Sequence, residues 1–504
     1  MTASSPTANQ PALLSPQERQ SVLRTLRSPK LLFIEVLAGL VTSLALIPEA
    51  LAFAVVAGVD PQVGLFTSVV LAMVIAFTGG RPAMISGAAG STAIVIAPLV
   101  ASHGMDYLIA TVLLAGLLQI VFAAIGVAKL MRFIPRQVMV GFVNALAILI
   151  FSSQLPQLIG VPWLVYPMVA VGLLLVFGLP RISQNIPAPL IVIVLLTGFA
   201  IAAGAQVPTV GDYGQLPSSL PSLIFPQVPL TGETLAIITP YALGITFVGL
   251  VESLMTAKLV DDITDTHSNK TRESWGLGVA NLATGFFGGM GGCAMIGQTM
   301  INVNGARART RISTFFSGFF ILVLSLVLGD IVAMIPMAAL VAIMVYVALT
   351  TFDWHSVQPA TLRALPKAET LVMVITVALT LLTHNLALGV GAGILAACAF
   401  FARRVARFVT VERSLEGAEG QVAVYTVSGQ LFFASSNDLY TLFDYSADPG
   451  KVRIDLSGAH LWDASTVSAL DAITTKYEKL GKQVEIVGLG AISGELHGRL
   501  TGRL

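Results

Sequence analysis

Residues 31–402 form a near-continuous succession of apolar stretches, with only 14 acids and 13 bases in 372 residues, about 7%, against roughly 25% charged residues in an average soluble domain. Such a run folds as lipid-facing helices, because each crossing of a hydrocarbon core roughly 30 Å thick takes about 20 mostly apolar residues with every backbone group paired internally. It parses into fourteen segments near 31–57, 61–79, 84–101, 105–128, 134–153, 163–179, 188–204, 234–258, 275–290, 294–304, 313–334, 336–351, 368–383 and 386–402. The third (84–101) and tenth (294–304) read as short or broken. The tail, 412–504, is of another kind: 12 acids and 8 bases in 93 residues, about 22%, which water must solvate. A body in lipid and a tail in water exclude a cytosolic enzyme, a coiled coil and a disordered chain. The net charge of +1 leaves no basic face for nucleic acid.

The bases test this parse independently, since Lys and Arg collect in cytoplasmic loops. With Arg19, Arg24, Arg27 and Lys30 inside, every second loop should be basic. Arg81, then Lys129, Arg132 and Arg136, then Arg181, then Lys258, Lys270 and Arg272 follow segments 2, 4, 6 and 8. Arg307, Arg309 and Arg311, then Arg363 and Lys367, then Arg403, Arg404 and Arg407 follow segments 10, 12 and 14. The loops between them carry no base, the long stretch 205–231 included. Fourteen spans with both ends cytoplasmic in a plasma or inner membrane is the expectation. Residues 1–30 are polar, so no cleavable signal peptide is expected there.

The two halves of the body resemble each other. Pro48-Glu49-Ala50-Leu51 matches Val251-Glu252-Ser253-Leu254 at an offset of 203, and Ala83-Met84-Ile85-Ser86-Gly87 matches Ala294-Met295-Ile296-Gly297-Gln298 at 211. Seven spans per half turn the second half upside down, the inverted-repeat plan of secondary transporters, in which interrupted segments at matching positions mark the substrate site. The expected domains are a cytoplasmic segment 1–30, repeats 31–205 and 233–404, and a small α/β domain 412–504. The tail supports the last by strands at 421–427, 451–456 and 483–487 and a helix at 465–479 with Val467, Leu470, Ile473 and Tyr477 inward.

Glu49 and Glu252 are the sharpest candidates, because an acid within a membrane helix is expensive and ordinarily faces a cavity or a partner. The structural alternative is a buried acid bonded to backbone at a distortion, which Pro48 would supply. No Lys or Arg lies in segments 1, 3 or 10, and segment 8 has one only at its last residue, Lys258, so protonatable sites are more natural here than ion pairs. The stretch 86–92 and the stretch 291–299 combine small residues with hydroxyls and an amide. If each opens a half-helix at membrane depth, free N–H groups and positive dipole ends converge on one anion; helix packing through small residues is the alternative.

Other polar features read as structural. Cys293 and Cys398 pack as small hydrophobes. His103, His267, His355, His384 and Asn385 sit in loops without metal-ligand spacing. Asp353-Trp354 is an interfacial anchor. Asp261, Asp262 and Asp265 form a solvated run lacking the EF-hand pattern. No Walker loop, metal or cofactor site is present in the sequence, so the chain does not read as an ATP-driven pump or an enzyme.

Ala38-Gly39-Leu40, Ile47-Pro48-Glu49-Ala50-Leu51-Ala52-Phe53-Ala54, Ala57-Gly58-Val59-Asp60-Pro61 and Gly64-Leu65-Phe66-Thr67 closely resemble the first-helix signature of the sulfate permease (SulP, solute carrier 26) family. Ile85-Ser86-Gly87 and Asn302-Val303-Asn304-Gly305-Ala306-Arg307 resemble its third- and tenth-segment motifs, and Ile454-Asp455-Leu456-Ser457 with Asp463-Ala464-Ser465 resembles the STAS domain that follows the body. The resemblance implies the uracil-permease fold of core and gate domains, an elevator-like cycle and a homodimer. It also implies an anion site at Glu49, Phe53, Ser86, Gly87, Ala88, Ala89, Ile296, Gly297, Gln298 and Thr299, with Glu252 and Glu49 coupling protons. Two departures matter: Ala88 stands where many members have Pro, and Gln298 where many have Arg. Without that Arg, tight chloride exchange is disfavoured and a co-transported proton favoured. The expected function is proton-coupled symport of an anion, a dicarboxylate first. The alternatives are a sodium-coupled bicarbonate or sulfate transporter and an uncoupled exchanger or channel. Ser465 is a candidate phosphorylation site, and the STAS domain a candidate dock for a regulatory protein.

Overall fold

The computed structural model describes residues 21–502 except 131–133, 183–187, 218, 230, 384, 407–408, 417–421 and 437–438. Arg19, Arg132, His384, Arg407 and the expected strand start at Gln421 lie outside the described residues. The chain forms two compact units, Met1–Gly393 and Ile394–Leu504.

As far as Ala406 the chain is mostly helical. α1 is Pro29–Ala57 and α2 is Pro61–Thr78; a two-residue strand β1, Ser86–Gly87, then leads into α3, Gly90–Ala124. α4 (Arg136–Gln154), α5 (Val165–Ile182) and α6 (Ala188–Ala202) complete the first half. α7 (Gly232–Thr264) and α8 (Lys270–Phe286) open the second, followed by β2 (Cys293–Ala294) and the short α9 (Ile296–Met300), which continues as a π-turn over Ile301–Gly305. α10 (Arg311–Val327), α11 (Met337–Thr351), α12 (Lys367–Thr383) and α13 (Leu386–Ala406) follow. Among the described residues six helices are long and apolar enough to cross a membrane by length and composition. Leu174, Phe199, Val327 and Leu382 point outward from the unit, an arrangement suited to lipid and not to water. The chain is a polytopic helical membrane protein.

Segments 3 and 4 share α3, divided at Gly104, whose φ of 77° and ψ of −167° are not helical. A Cβ there would meet nothing within 4 Å, so it is the left-handed backbone and not space that calls for glycine. Residues 90–103 then span about 21 Å and 296–305 about 15 Å, each short of a full crossing. The third and tenth segments are therefore half-helices, each entered through a strand.

The two halves align unevenly. Pro29 to Glu49 and Gly232 to Glu252 are both 20 steps from helix start to acid, as the offset of 203 requires. The interrupted segments, by contrast, start their strands at Ser86 and Cys293, 207 apart, so the match at 211 is out of structural register by four residues.

Polar groups at helix ends are satisfied across long sequence separations. Glu35, buried in α1, accepts from the backbone N–H groups of Arg309 (2.7 Å), Thr310 (3.0 Å) and Ser313 (3.2 Å), holding the start of α10. Asp261 is not part of a solvated run. Its carboxylate pairs with the buried Arg81 at 2.8 Å and with Lys270 at 2.7 Å, tying the loop after α2 to α7 and α8. Asp262 and Asp265 are exposed, as expected.

The second unit carries a four-stranded sheet in the order β3-β4-β5-β6: β3 (Thr410–Glu416), β4 (Val422–Leu431), β5 (Lys451–Leu461) and β6 (Gln483–Val487). β3 runs antiparallel to β4, and the other pairs are parallel. α14 (Ala464–Lys479) presents Val467, Leu470, Ile473 and Tyr477 to the core, all buried, and α15 (Ala491–Leu500) follows β6. Inside, the Asp448 carboxylate accepts from Arg413 Nε (2.8 Å), Tyr425 OH (2.7 Å) and Tyr477 OH. Burial pushes both phenols above their ordinary value. Asp463 caps α14 by accepting from Thr466 N at 3.1 Å, and Ser465 is exposed on the helix's first turn.

Candidate functional site

The site is built on a crossing of two strands. β1 and β2 pair antiparallel, Ser86 opposite Ala294 and Gly87 opposite Cys293. Extended backbone at membrane depth survives only where its polar groups find partners, and here side chains supply them. Ile85 N–H donates to Thr299 Oγ1 (3.0 Å), Ala88 N–H to Ser68 Oγ (3.0 Å) and Ala294 N–H to Ser253 Oγ (3.0 Å). Gly292 N–H donates to Asn281 Oδ1 (2.9 Å), and Met290 N–H to Thr67 Oγ1 (2.8 Å). The strands are close enough that a Cβ at Gly292 would lie 2.1 Å from the Gly87 carbonyl oxygen.

From this crossing α3 starts after Ala89 and α9 after Met295, neither with a side-chain cap. The first N–H groups of a helix have no intrahelical partner, so two uncapped ends present free donors and positive partial charge. Both open onto one cavity of about 830 Å³. Ala89, Gly90 and Ser91 reach it from α3 and its approach; Ile296, Gly297 and Gln298 reach it from α9; Glu49 and Phe53 come from α1, and Glu252 from α7. The opposite wall is apolar, with Phe142 and Leu146 of α4 and Tyr346 and Val347 of α11.

The expected site residues divide here. Glu49, Phe53, Ala89, Ile296, Gly297, Gln298 and Glu252 line the cavity. Ser86, Gly87, Ala88 and Thr299 do not; they are buried within the crossing, where Thr299 pins Ile85 and a Cβ at Gly87 would press on Ser68 and Leu46. The third-segment contribution thus begins at Ala89 and extends to Gly90 and Ser91, because the strand must end before the helix can aim its N–H groups outward.

Cys293 is more than a packed hydrophobe. Its Sγ donates to Glu252 Oε2 at 3.2 Å, and the Ser91 hydroxyl donates to the same oxygen at 2.5 Å. A cysteine in an apolar stretch gives no sign of such a contact; the clue would have been that β2 faces the helix carrying Glu252. Arg307, the last residue of the tenth-segment motif, also lines the cavity. It holds φ of 59°, a left-handed conformation uncommon outside glycine.

The Sulfate permease family profile matches residues 32–170 and 161–376, and the STAS domain profile matches 415–495. The chain is 47% identical over 462 residues to "Putative sulfate transporter YbaR" of Bacillus subtilis, covering 92% of this chain and 95% of that protein. "Bicarbonate transporter BicA" of Picosynechococcus is 26% identical over 507 residues, 90% of this chain and 88% of its own. Among solved structures, murine Slc26a9 in the inward-facing state matches with a TM-score of 0.81 at 17% identity, over 98% of this chain and 92% of that chain. The transmembrane domain of a cyanobacterial BicA matches with 0.63 at 24% identity, over 75% and 98%. Both are likenesses of fold. With most of its length matched by the family profile and nearly half of its residues shared with YbaR, the chain belongs to the sulfate permease family of anion transporters and ends in a STAS domain.

Proposed function

We propose that this transporter moves a small inorganic oxyanion, sulfate first and bicarbonate second, together with protons. The observation that carries the reading is the convergence of two uncapped helix starts and two carboxylates on one cavity. The helix starts suit an oxyanion with several acceptor oxygens. The names of YbaR and BicA favour an inorganic oxyanion over the dicarboxylate first expected.

Charge in the cavity argues for the proton. An anion about 4 Å from an ionised carboxylate is repelled by about 4 kcal/mol per unit charge at an effective dielectric near 20. Glu252 and Glu49 both line the cavity, while Arg307 at its edge is the one base among the lining residues. Protonation of the carboxylates removes the repulsion, so anion and proton bind together. The fourteen-span, seven-plus-seven inverted repeat, with segment 1–30 and the tail 412–504 in the cytoplasm, fits this reading: each of the repeats 31–205 and 233–404 would give part of a core around the strand crossing and part of a gate, including α4 and α11, past which the core slides. A homodimer and modification at the exposed Ser465 belong to the same proposal.

The test is uptake of radiolabelled sulfate, bicarbonate and succinate by purified protein in liposomes, with imposed pH or sodium gradients. Sulfate uptake driven by an inward proton gradient, and lost in Glu252→Gln, is the expected result. Uptake indifferent to pH but abolished when choline replaces sodium would replace the proton by sodium. Preference for succinate would restore the dicarboxylate.

A further inference from the structure

The clasp around Glu252 assigns a role to a residue that the transport reading does not use. We infer that Cys293 is a positioning residue: with Ser91 it holds Oε2 of Glu252, so that Oε1 is the atom that takes the proton on the cavity side. The inference rests on the reading of Glu252 as the coupling acid.

Three elements meet at this carboxylate. Ser91 stands in the first turn of α3, Glu252 in the middle of α7 and Cys293 on β2. The Ser91 hydroxyl and the Cys293 thiol both donate to Oε2 and lie 3.7 Å from each other. Ser253, the next residue on α7, accepts from Ala294 N–H at 3.0 Å, so β2 and α7 are stitched at two successive positions. Among the described residues Oε1 accepts from no donor, and Glu252 lines the cavity at 8% exposure.

Two donors on one oxygen leave the other as the place for a proton. Hydrogen bonds to the charged form favour that form, so the clasp sets how readily Glu252 is protonated. A thiol is a weak donor with little competing acceptor strength. The bond therefore tightens when the carboxylate is charged and slackens when it is neutral, carrying the protonation state of α7 to the strand that launches α9.

The other titratable groups on elements packed against α7 are remote from the clasp. α3 carries His103, Asp106 and Tyr107 beyond Pro98, toward and past the break at Gly104, and α8 carries Lys270, Arg272 and Glu273 in its first turn; α9 has none. Glu49 shares the cavity with Glu252 from α1. Cys293 is the titratable side chain in contact with the carboxylate.

The chain has two cysteines, so Cys398→Ala leaves Cys293 as the sole thiol in the full-length protein. Its S–H stretch in the infrared should shift to lower frequency as Glu252 ionises, follow one titration, and stay fixed with pH in Glu252→Gln. In liposomes Cys293→Ala should move the pH midpoint of gradient-driven sulfate uptake to the alkaline side by about half to one unit, up to a tenfold change in proton affinity. Cys293→Ser should restore it. An S–H band indifferent to pH, or a Cys293→Ala profile that superimposes on the parent's, would overturn the inference while leaving Glu252 as coupling acid. Gradient-driven uptake by Glu252→Gln would instead overturn the coupling reading beneath it. The infrared titration needs no transport and stands even if Cys293→Ala is poorly folded.

Discussion

Glu49 and Glu252 occupy the same place in two helices, each 20 residues beyond the start, yet their surroundings differ. Glu252 is buried and clasped by two side-chain donors on one oxygen. Glu49 is half-buried, and its neighbour across the cavity is the Gln298 amide at the start of α9. Each helix carries an acid at this place, and only Glu252 is held by two donors on a single oxygen; on the proposed reading Glu49 is the one that meets the anion. One position can thus be tuned for coupling and its equivalent for binding, because a held carboxylate transmits its charge state to what holds it.

The comparison breaks most completely where both sites share a foundation. Gly292→Ala would place a Cβ 2.1 Å from the Gly87 carbonyl oxygen, which neither strand can accept without parting. Separated strands would strand backbone N–H and C=O groups at membrane depth, at a cost of several kcal/mol each. The expected outcome is little or no folded protein by detergent-solubilised size-exclusion chromatography. A monodisperse, transporting Gly292→Ala would mean that the crossing does not depend on close approach.

The next largest effects separate the two acids. Glu252→Gln should lose gradient dependence while still binding anion, whereas Glu49→Gln should keep gradient dependence and change apparent affinity, by about tenfold or about 1.4 kcal/mol. Side-by-side measurement of KM and of the pH-gradient response decides it. If both variants lose the gradient response, the carboxylates act as one proton site and their different surroundings carry no division of labour.

How much of this was legible beforehand follows from where the signal resides. The bases mark the ends of the apolar stretches and not the loops themselves, since Lys258 lies inside α7 and Arg181 in the last turn of α5. The acid-bearing helices were legible because a lone Glu in an apolar run is expensive wherever it lies. The crossing was legible only as an interruption: glycines announce that the helix breaks, but not that Ser86 and Gly87 face a partner strand while Ala89, Gly90 and Ser91 face the cavity. A two-residue strand has no periodicity to read, which is also why the second repeat match slipped by four residues. Cys293 was misread because a thiol resembles a small hydrophobe until its partner is known. Asp261 was misread because Arg81 is 180 residues away. In the STAS domain, β4, β5, β6 and α14 had inward patterns, while β3, an almost wholly exposed edge strand, had none.

The smallest effect sharpens the comparison from the Glu49 side. Gln298 is 2% exposed, lines the cavity and interacts with Glu49 through its side chain. Gln298→Ala removes a neutral partner from an acid that is not otherwise clasped, and a typical hydrogen bond contributes about 1 kcal/mol net, or roughly fivefold in affinity. The free N–H groups at the start of α9 are backbone and survive the change, so the anion site should weaken without being lost. On the inference drawn above, the pH response belongs to the Ser91–Glu252–Cys293 cluster, to which Gln298 makes no hydrogen bond among the described residues, and should stay where it is. A rise of a few-fold in KM with an unmoved pH midpoint is the expected reading. A moved midpoint would show that the two carboxylates communicate through α9, and that the division between binding and coupling is one of degree.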